Sequence, residues 1–279
     1  MIKLLRAGFR RLFKSIIFWL GLCASLLLGV ITALDTRSCW ALEDAYIMPF
    51  FVIIAIVISL LIGTEHGNGA LRNKIVVGYS KSAVYFANLI VLMGFSLIAS
   101  LTCLGVFSLL MIGYTGIFPT YALVVSAVGF VLVTLSYTVI LVSVSMMISQ
   151  RAINVIVCIL LVLVTVFTIY EIDDVLGRPE FFEAITNIYG EQHIIRHENS
   201  RYIGGIQREI LQNIEWLIPC GSIIEYTKII KPFFLKYNII LNLTAEQASH
   251  LKILPLYPVF SIFLAGVLGW CFFRKKELK

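Results

Sequence analysis

The residues best suited to chemistry lie in one short stretch, 63–81, which reads GTEHGNGALRNKIVVGYSK. It places one carboxylate, Glu65, ahead of three cations, Arg72, Lys74 and Lys81, in a chain that is otherwise strongly apolar. Charged side chains on a short exposed segment favour docking, because they steer a partner and fix its register through complementary charges. The stretch therefore predicts a binding surface rather than a reaction centre.

The same stretch has the pattern of a short amphipathic helix over 65–77. Ala70, Leu71, Ile75 and Val76 form an apolar stripe beside Arg72, Asn73 and Lys74. Thr64 or Asn68 is suited to cap the amino end, and Gly78 is suited to end the helix. The alternative is a solvated connection, but nineteen residues is longer than most connections between helices.

Motifs for catalysis and cofactor binding do not stand out elsewhere. The sequence has no G-x-x-x-x-G-K-[ST] and no H-E-x-x-H, so neither a P-loop nor a zincin site is expected. His193 and His197 would share one face of a helix and could bind a metal, but a solvated polar face is the favoured interpretation. We expect a chain that is not an enzyme, with no metal and no cofactor of its own. Whether Cys39 and Cys220 pair is left open.

The elements that must position the stretch 63–81 are membrane spans. Of the 279 residues 59% are hydrophobic and only 14% charged, against about 25% charged in soluble domains. No charged residue or histidine occurs between Ser82 and Gln150, a run of 69 residues. A span needs about 20 apolar residues. We predict six spans, at 15–34, 46–63, 84–112, 120–149, 152–170 and 255–273.

The charges segregate between the two sides that six spans would create. One side, with both termini, carries 13 basic residues and two acids, and the other carries 9 basic residues and 14 acids. The excess of Lys and Arg on one side predicts that both termini are cytoplasmic. The net charge of +6 is then a topology signal, and no nucleic-acid partner is expected because the charges flank spans.

The segment 1–14 has the pattern of a basic amphipathic helix lying in the membrane interface. The alternative is a positively charged flank with no further role. The apolar face comprises Leu5, Phe9, Leu12 and Phe13, and the basic face comprises Arg6, Arg10 and Lys14.

The region 171–252 is predicted to lie outside the membrane and to be mostly helical. Phe181, Phe182, Ile185 and Ile188 follow helical spacing, and 223–243 suits helices at or dipping into the interface. No ionisable residue falls inside any predicted span, which disfavours proton- or sodium-coupled transport. Energy for transport would then have to come from a partner, and a hydrophobic or amphipathic cargo would suit such spans.

The stretch 63–81 resembles the first cytoplasmic loop of ABC exporter permeases of the second class, which have six spans. That family has an acidic residue after span two, then a Gly-Thr/Ala-Leu-Arg-x-Lys step and a Gly-x-Ser/Thr-Arg/Lys step. Here these are Glu65, 69–74 and 78–81. An amphipathic amino-terminal helix and a Pro-x-Gly step at 219–221 are similar too. The outer region is longer than is common in the family.

The resemblance implies an all-α polytopic fold. It has six transmembrane helices, an interface helix at 1–14, a coupling helix at 65–77 between helices 2 and 3, a helical extracytoplasmic region at 171–252, and helix 6 with a basic tail at 253–279. It implies a dimer with a second permease copy or paralogue in the bacterial plasma membrane. Two cytoplasmic ATPase subunits, which hold ATP and magnesium, would dock beneath.

In that mechanism, closure of the ATPase subunits pushes the coupling helix and moves spans two and three. Glu65, Arg72 and Lys74 are the expected contacts with the ATPase. Gly69 is the first residue of the Gly-Thr/Ala-Leu-Arg-x-Lys step. Leu71 and Ile75 are expected to hold the helix to the bundle. Some family members export peptides or give resistance to them, and others move lipids, polysaccharides or ions. An antimicrobial or amphipathic peptide is the expected cargo. The competing hypothesis is a membrane-anchored sensor or scaffold whose outer region binds a ligand.

Overall fold

The structure, a computed structural model, describes residues 1–39, 47–111, 120–188, 191–234 and 245–276. These form eleven helices and one two-stranded sheet. In chain order they are α1 (Ile2–Lys14), α2 (Ile16–Cys39), α3 (Ile47–Gly67), α4 (Ala70–Val76), α5 (Lys81–Met111), α6 (Thr120–Met147), α7 (Arg151–Gly177), β1 (Phe181–Ile188), β2 (Glu191–Glu198), α8 (Gly205–Leu217), α9 (Pro219–Phe234), α10 (Ala245–Ile253) and α11 (Leu256–Lys275).

Six of these helices, α2, α3, α5, α6, α7 and α11, are long and apolar enough to cross a membrane. The prediction of six spans is confirmed, and the chain is a predominantly helical, multi-pass membrane protein. Three helices run four or more residues past their predicted ends. α2 continues to Cys39, α3 to Gly67 and α7 to Gly177, because hydrogen bonding along a helix does not stop where the side chains become polar.

The spans pack as a bundle in which α2 lies on α5, α3 on α7, and α6 on α11, α5 and α3. Small residues permit the closest approaches, as is usual between helices in membranes. A Cβ atom on Gly29 of α2 would lie 2.7 Å from the carbonyl oxygen of Cys103 in α5. A Cβ on Gly63 of α3 would lie 2.9 Å from Cγ of Arg151 at the start of α7.

Polar side chains inside the bundle bond from one helix to another. Asn154 Nδ2 of α7 donates to the carbonyl oxygen of Ser59 in α3 at 3.0 Å. The Thr138 hydroxyl of α6 donates to Ser96 Oγ of α5 at 2.6 Å. Such bonds satisfy groups that lipid cannot satisfy, and each adds about 0.6 kcal/mol on average.

The outer region departs from its predicted helical structure at 181–198. β1 and β2 form an antiparallel hairpin whose register runs from Phe181 opposite Glu198 to Ile188 opposite Glu191. The helical interpretation of Phe181, Phe182, Ile185 and Ile188 was wrong, because a short run of Phe, Ile and Thr fits a paired strand equally well. His193 and His197 lie on β2 rather than on one face of a helix, and four residues of strand separate their Cα atoms by roughly 13 Å.

Three helices, α8, α9 and α10, complete the outer region. α9 packs against α6 and α7 and extends the core of the bundle, with Cys220, Ile223 and Ile224 buried there. Cys220 carries a free thiol, whose sulfur lies 3.4 Å from the Tyr137 hydroxyl of α6. The side chain of Cys39 lies outside the described residues. The predicted interfacial segment 223–243 is described only to residue 234.

Candidate functional site

The candidate site lies at one end of the bundle, which we call the basic end. α1, α4, the start of α5 and the end of α11 meet there. Lys81 Nζ donates to the carbonyl oxygens of Arg274 and Lys276, at 3.2 and 2.6 Å. Lys276 Nζ donates in turn to the carbonyl oxygen of Met146 at 3.1 Å. These bonds satisfy the open carbonyls at the ends of α11 and α6 and hold α5, α6 and α11 together.

Glu65 is the centre of the basic end. It lies in the last turn of α3, and its side chain is only 3% exposed. One carboxylate oxygen forms an ion pair with Arg11 of α1. The other accepts from Lys74 Nζ of α4 and from Asn88 Nδ2 of α5, both at 2.9 Å. One carboxylate therefore joins four helices, and a buried charge of this kind is tolerated only because it is paired and hydrogen-bonded.

The charge balance around Glu65 is positive. Burial, followed by the nearby Arg11 guanidinium, lowers the pKa of Lys74 to about 8. Burial also lowers the pKa of Arg11. The Glu65 carboxylate opposes both effects, because an adjacent anion favours the protonated form of a base. The two cations thus depend on Glu65, and loss of its charge would leave them facing each other.

Two glycines delimit α4. Gly69 precedes the helix with φ of 65° and Gly78 follows it with φ of 103°, a region that favours glycine. The helix expected over 65–77 is therefore shorter than predicted, because the chain turns at Gly67, Asn68 and Gly69. Glu65 belongs to α3, and α4 begins at Ala70.

The faces of α4 divide sharply. Leu71 is buried and Ile75 packs against the core, which fits the expectation that they hold the helix to the bundle. Arg72 is exposed. Val76 and Val77 are 76% and 77% exposed, so the end of α4 presents two apolar side chains to the surface beside a cation.

α1 packs on the protein through a face that partly matches the predicted apolar face: Leu12 is buried, and Leu5 and Phe9 pack partly buried against the core. Leu4, Gly8 and Leu12 are buried, and a Cβ on Gly8 would lie 2.7 Å from Cγ2 of Val91 in α5. The lack of a side chain at Gly8 permits this approach and turns Arg11 towards Glu65.

The interface residues predicted on α1 lie around this contact. Phe9 is half-buried over Gly94 of α5. Phe13 is exposed, and its ring meets the ring of Phe18 edge-on, with 5.1 Å between their centroids. Arg6 and Arg10 are exposed, so a role at the membrane surface stays a prediction for these four residues.

Comparison with known proteins adds no family. No protein-family model matches the chain. No curated protein matches it at a significant level of similarity. The residues themselves therefore carry the argument about function.

Of the predicted site residues, the structure brings Glu65 and Lys74 into direct contact and places Leu71 and Ile75 beneath them. It leaves Arg72 on the surface. Glu65 is directed inward in this chain, so its expected contact with an ATPase stays a prediction that the buried position does not favour. Arg11 and Asn88 also contact Glu65, although neither was predicted to belong to the site. Asn88 carried a signal, since it is a lone amide seven residues after Lys81 in an apolar helix.

The arrangement connects α1, α3, α4 and α5 through one carboxylate. Among the described residues, no group of three or more His, Cys, Asp or Glu side chains is placed to hold a metal ion. A small cavity lined by Gly8, Arg11, Glu65, Asn88 and Leu92, among others, lies beside the ion pairs. A force applied to α4 would reach α3 through Lys74 and α5 through Asn88, because both side chains bond the same carboxylate oxygen.

Proposed function

We propose that the chain is the transmembrane permease subunit of an ATP-binding cassette exporter, driven by separate ATPase subunits that dock on α4. The observation that carries the proposal is the Glu65 cluster. A short surface helix is tied by one buried carboxylate to two spans, α3 and α5, and to α1. A helix joined in this way would pass movement from a docked motor into the bundle.

The docking surface is the exposed face of α4, formed by Arg72, Asn73, Val76 and Val77. Val76 and Val77 are adjacent exposed apolar side chains beside a cation, and apolar patches rimmed by polar residues are typical of interaction sites. Arg is also enriched in protein interfaces. We assign contact with the ATPase to these residues, and we assign to Glu65 and Lys74 the transmission of force.

The spans support an external source of energy. The predicted spans contain no ionisable residue. Glu65, two residues past the end of the second predicted span, is paired with the cations Arg11 and Lys74. Proton- or ion-coupled carriers usually need such groups deep in the membrane. The proposed cargo is hydrophobic or amphipathic, with an antimicrobial peptide as the leading candidate, and ATP and magnesium are held by the partner.

The proposed setting is the bacterial plasma membrane with both termini cytoplasmic, so that the basic end faces the cytoplasm. The proposed assembly contains a second permease copy or a paralogue. α7 and α11 leave large apolar side chains exposed, including Phe167, Phe260 and Phe263. These faces meet lipid or the second subunit.

One observation favours the competing function of a sensor or scaffold. The hairpin of β1 and β2 makes no extensive contact with any other described element. An isolated two-stranded hairpin is marginally stable in water, so this one would gain stability from a bound ligand or partner. A sensor or scaffold requires no ATPase, so a test for an ATPase partner distinguishes it from an exporter subunit.

The test is co-purification of the full chain with the ATP-binding cassette ATPase subunits of its own organism, followed by measurement of ATPase activity in nanodiscs. Arg72→Glu with Val76→Asp is expected to abolish the complex, because it reverses the charge and removes the apolar contact. Arg201→Glu, at an exposed position in the outer region, is the matched control and is expected to change nothing. A complex that survives the α4 substitutions overturns the docking surface, and absence of any ATPase partner favours the sensor.

A further inference from the structure

A second buried carboxyl group lies at the opposite end of the bundle, where α8 turns into α9. Glu215 is only 1% exposed, and its Oε1 atom finds no hydrogen-bond partner among the described residues. Its carboxyl group is close enough to that of Asp173, at the end of α7, to share a hydrogen bond. A buried, ionised carboxylate with an unsatisfied oxygen is costly, whereas a protonated one can donate to its neighbour.

The turn between α8 and α9 closes over Glu215. A Cβ on Gly221 would lie 2.0 Å from the carbonyl oxygen of Glu215 and 2.8 Å from its Cγ, so the absence of a side chain at Gly221 allows the turn to pack directly on Glu215. The Ser222 hydroxyl donates to the carbonyl oxygen of Trp216 at 2.7 Å. The turn is thereby held shut, and Glu215 cannot reach water without its opening.

The charges that face Glu215 come from three elements. α7 contributes Asp173, and α9 contributes Glu225 and Lys228. Lys228 forms an ion pair with Asp173 and lies 3.8 Å from Glu225. α10 contributes His250, whose Nδ1 lies 3.4 Å from Glu225.

Two other elements bring no charge to Glu215. α11 meets α8 through the Tyr257 hydroxyl, which donates to Asn213 at 2.6 Å, and its own cations, Arg274 and Lys275, are at the basic end. α6 has no charged residue. On α8 itself, Arg208 donates to the carbonyl oxygen of Leu176 at the end of α7.

We infer that Glu215 is a proton-binding site, and that α8 and α9 remain seated on the end of α7 only while its carboxyl group holds a proton. Asp173 and Glu225 place two further carboxyl groups near Glu215 against a single nearby lysine, Lys228, which favours a proton on one of the three carboxyl groups. Glu215 is the one that is both least exposed and least satisfied. Burial raises the pKa of Glu215 to about 8, with further increases from Asp173 and Glu225 and a decrease from Lys228.

The pH dependence follows from the difference between the seated and open states. In the open state Glu215 is hydrated and has its ordinary pKa of 4.5, whereas in the seated state its pKa is about 8. Because seating then takes up one proton, its equilibrium constant falls by about tenfold per pH unit between these values. Below pH 4.5 the equilibrium constant for seating has its highest value. Above about pH 8 it has its lowest value and no longer changes with pH.

The experiment is hydrogen exchange on the full chain in nanodiscs, followed in peptides from α8 and α9 and corrected for the intrinsic pH dependence of exchange. In the wild type, protection is expected to fall from about pH 5 to about pH 8 and then to level off. Glu215→Gln mimics the neutral carboxyl group and is expected to abolish most of this fall. Glu209→Gln, an exposed position on the same helix, is the matched control and is expected to retain it.

Two further measurements test the inference even if the Glu215→Gln variant folds poorly. Asp173→Asn removes the neighbouring carboxylate and is expected to move the end of the fall to lower pH by about one unit. In the wild type, the infrared carbonyl band of a protonated carboxylic acid is expected to be present at neutral pH and to titrate near pH 8. Protection that does not change over this range, a Glu215→Gln variant with the wild-type slope, or absence of that band overturns the inference.

Discussion

At the scale of single residues, Glu65 is the position where the smallest change should have the largest effect. Glu65→Gln removes the charge that balances Arg11 and Lys74 while keeping the size of the side chain. Because Arg11 is 47% exposed, water screens part of the cost, and we expect the free energy of unfolding to fall by about 1–3 kcal/mol. Thermal unfolding in detergent, monitored by circular dichroism, measures the effect.

The matched control for Glu65 is Glu209→Gln, the same substitution at an exposed position, which should stay within about 0.5 kcal/mol of the wild type. Adding Lys74→Met to Glu65→Gln should recover part of the loss, because the buried ammonium is removed together with its partner. Equal unfolding temperatures for Glu65→Gln and Glu209→Gln would show that the cluster does not hold the helices together.

The sequence identified some of the Glu65 cluster and missed the rest for a physical reason. Glu65 and Lys74 stood out because charges are rare in this chain, and Leu71 and Ile75 stood out by helical spacing. Arg11 and Asn88 come from helices 54 residues before and 23 residues after Glu65. Contacts at that separation depend on how α1 and α5 pack, which follows from the close approach at Gly8 and has no signature in local spacing.

At the scale of elements, local pattern predicted helices well and the hairpin poorly. A span of about 20 apolar residues has few alternatives in a membrane, because every backbone group must be satisfied within the segment. The segment 181–198 is ambiguous, because the spacing of its Phe and Ile residues is compatible with either a helix or a strand. The paired residues of the hairpin are up to seventeen positions apart in the sequence. Pairing between the two segments therefore decides that they form strands, and a local pattern does not reveal it.

Helix packing at the element scale gives a prediction at Gly269 of α11. A Cβ there would meet Ser143 of α6 and lie 2.5 Å from the Tyr85 hydroxyl of α5. Gly269→Ala must therefore push α11 away or break the hydrogen bond between Tyr85 and Ser143, which is 2.9 Å long. We expect a loss of about 1–3 kcal/mol in the free energy of unfolding, as for other overpacked cores.

The control for Gly269 is Gly105→Ala in α5, a second glycine within a span, where a Cβ would meet nothing within 4 Å. There the substitution is expected to be neutral or to stabilise by up to about 1 kcal/mol, since alanine favours helix more than glycine does. Unfolding temperatures of the two variants in the same detergent test the difference. A Gly269→Ala variant as stable as Gly105→Ala would contradict the close packing of α11 on α5 and α6.

At the scale of the whole molecule, the distribution of charge is the property that sequence predicts best. The six spans follow from where charges are absent, and the structure confirms them as helices of sufficient length. The orientation rests on the excess of Lys and Arg at the basic end, which membrane insertion keeps on the cytoplasmic side. It is a statement about the membrane that surrounds the molecule, so it needs its own test.

That test is cysteine labelling of intact cells with a maleimide that does not cross the membrane. Glu198→Cys, exposed at the end of β2, is expected to react in intact cells, whereas Asn73→Cys, exposed on α4, is expected to react only after the cells are opened. The parent chain gives the background, because Cys23 and Cys271 are exposed on the bundle surface. The reverse pattern would place α4 outside, where no ATP-driven subunit could reach it, and would overturn the exporter proposal together with the orientation.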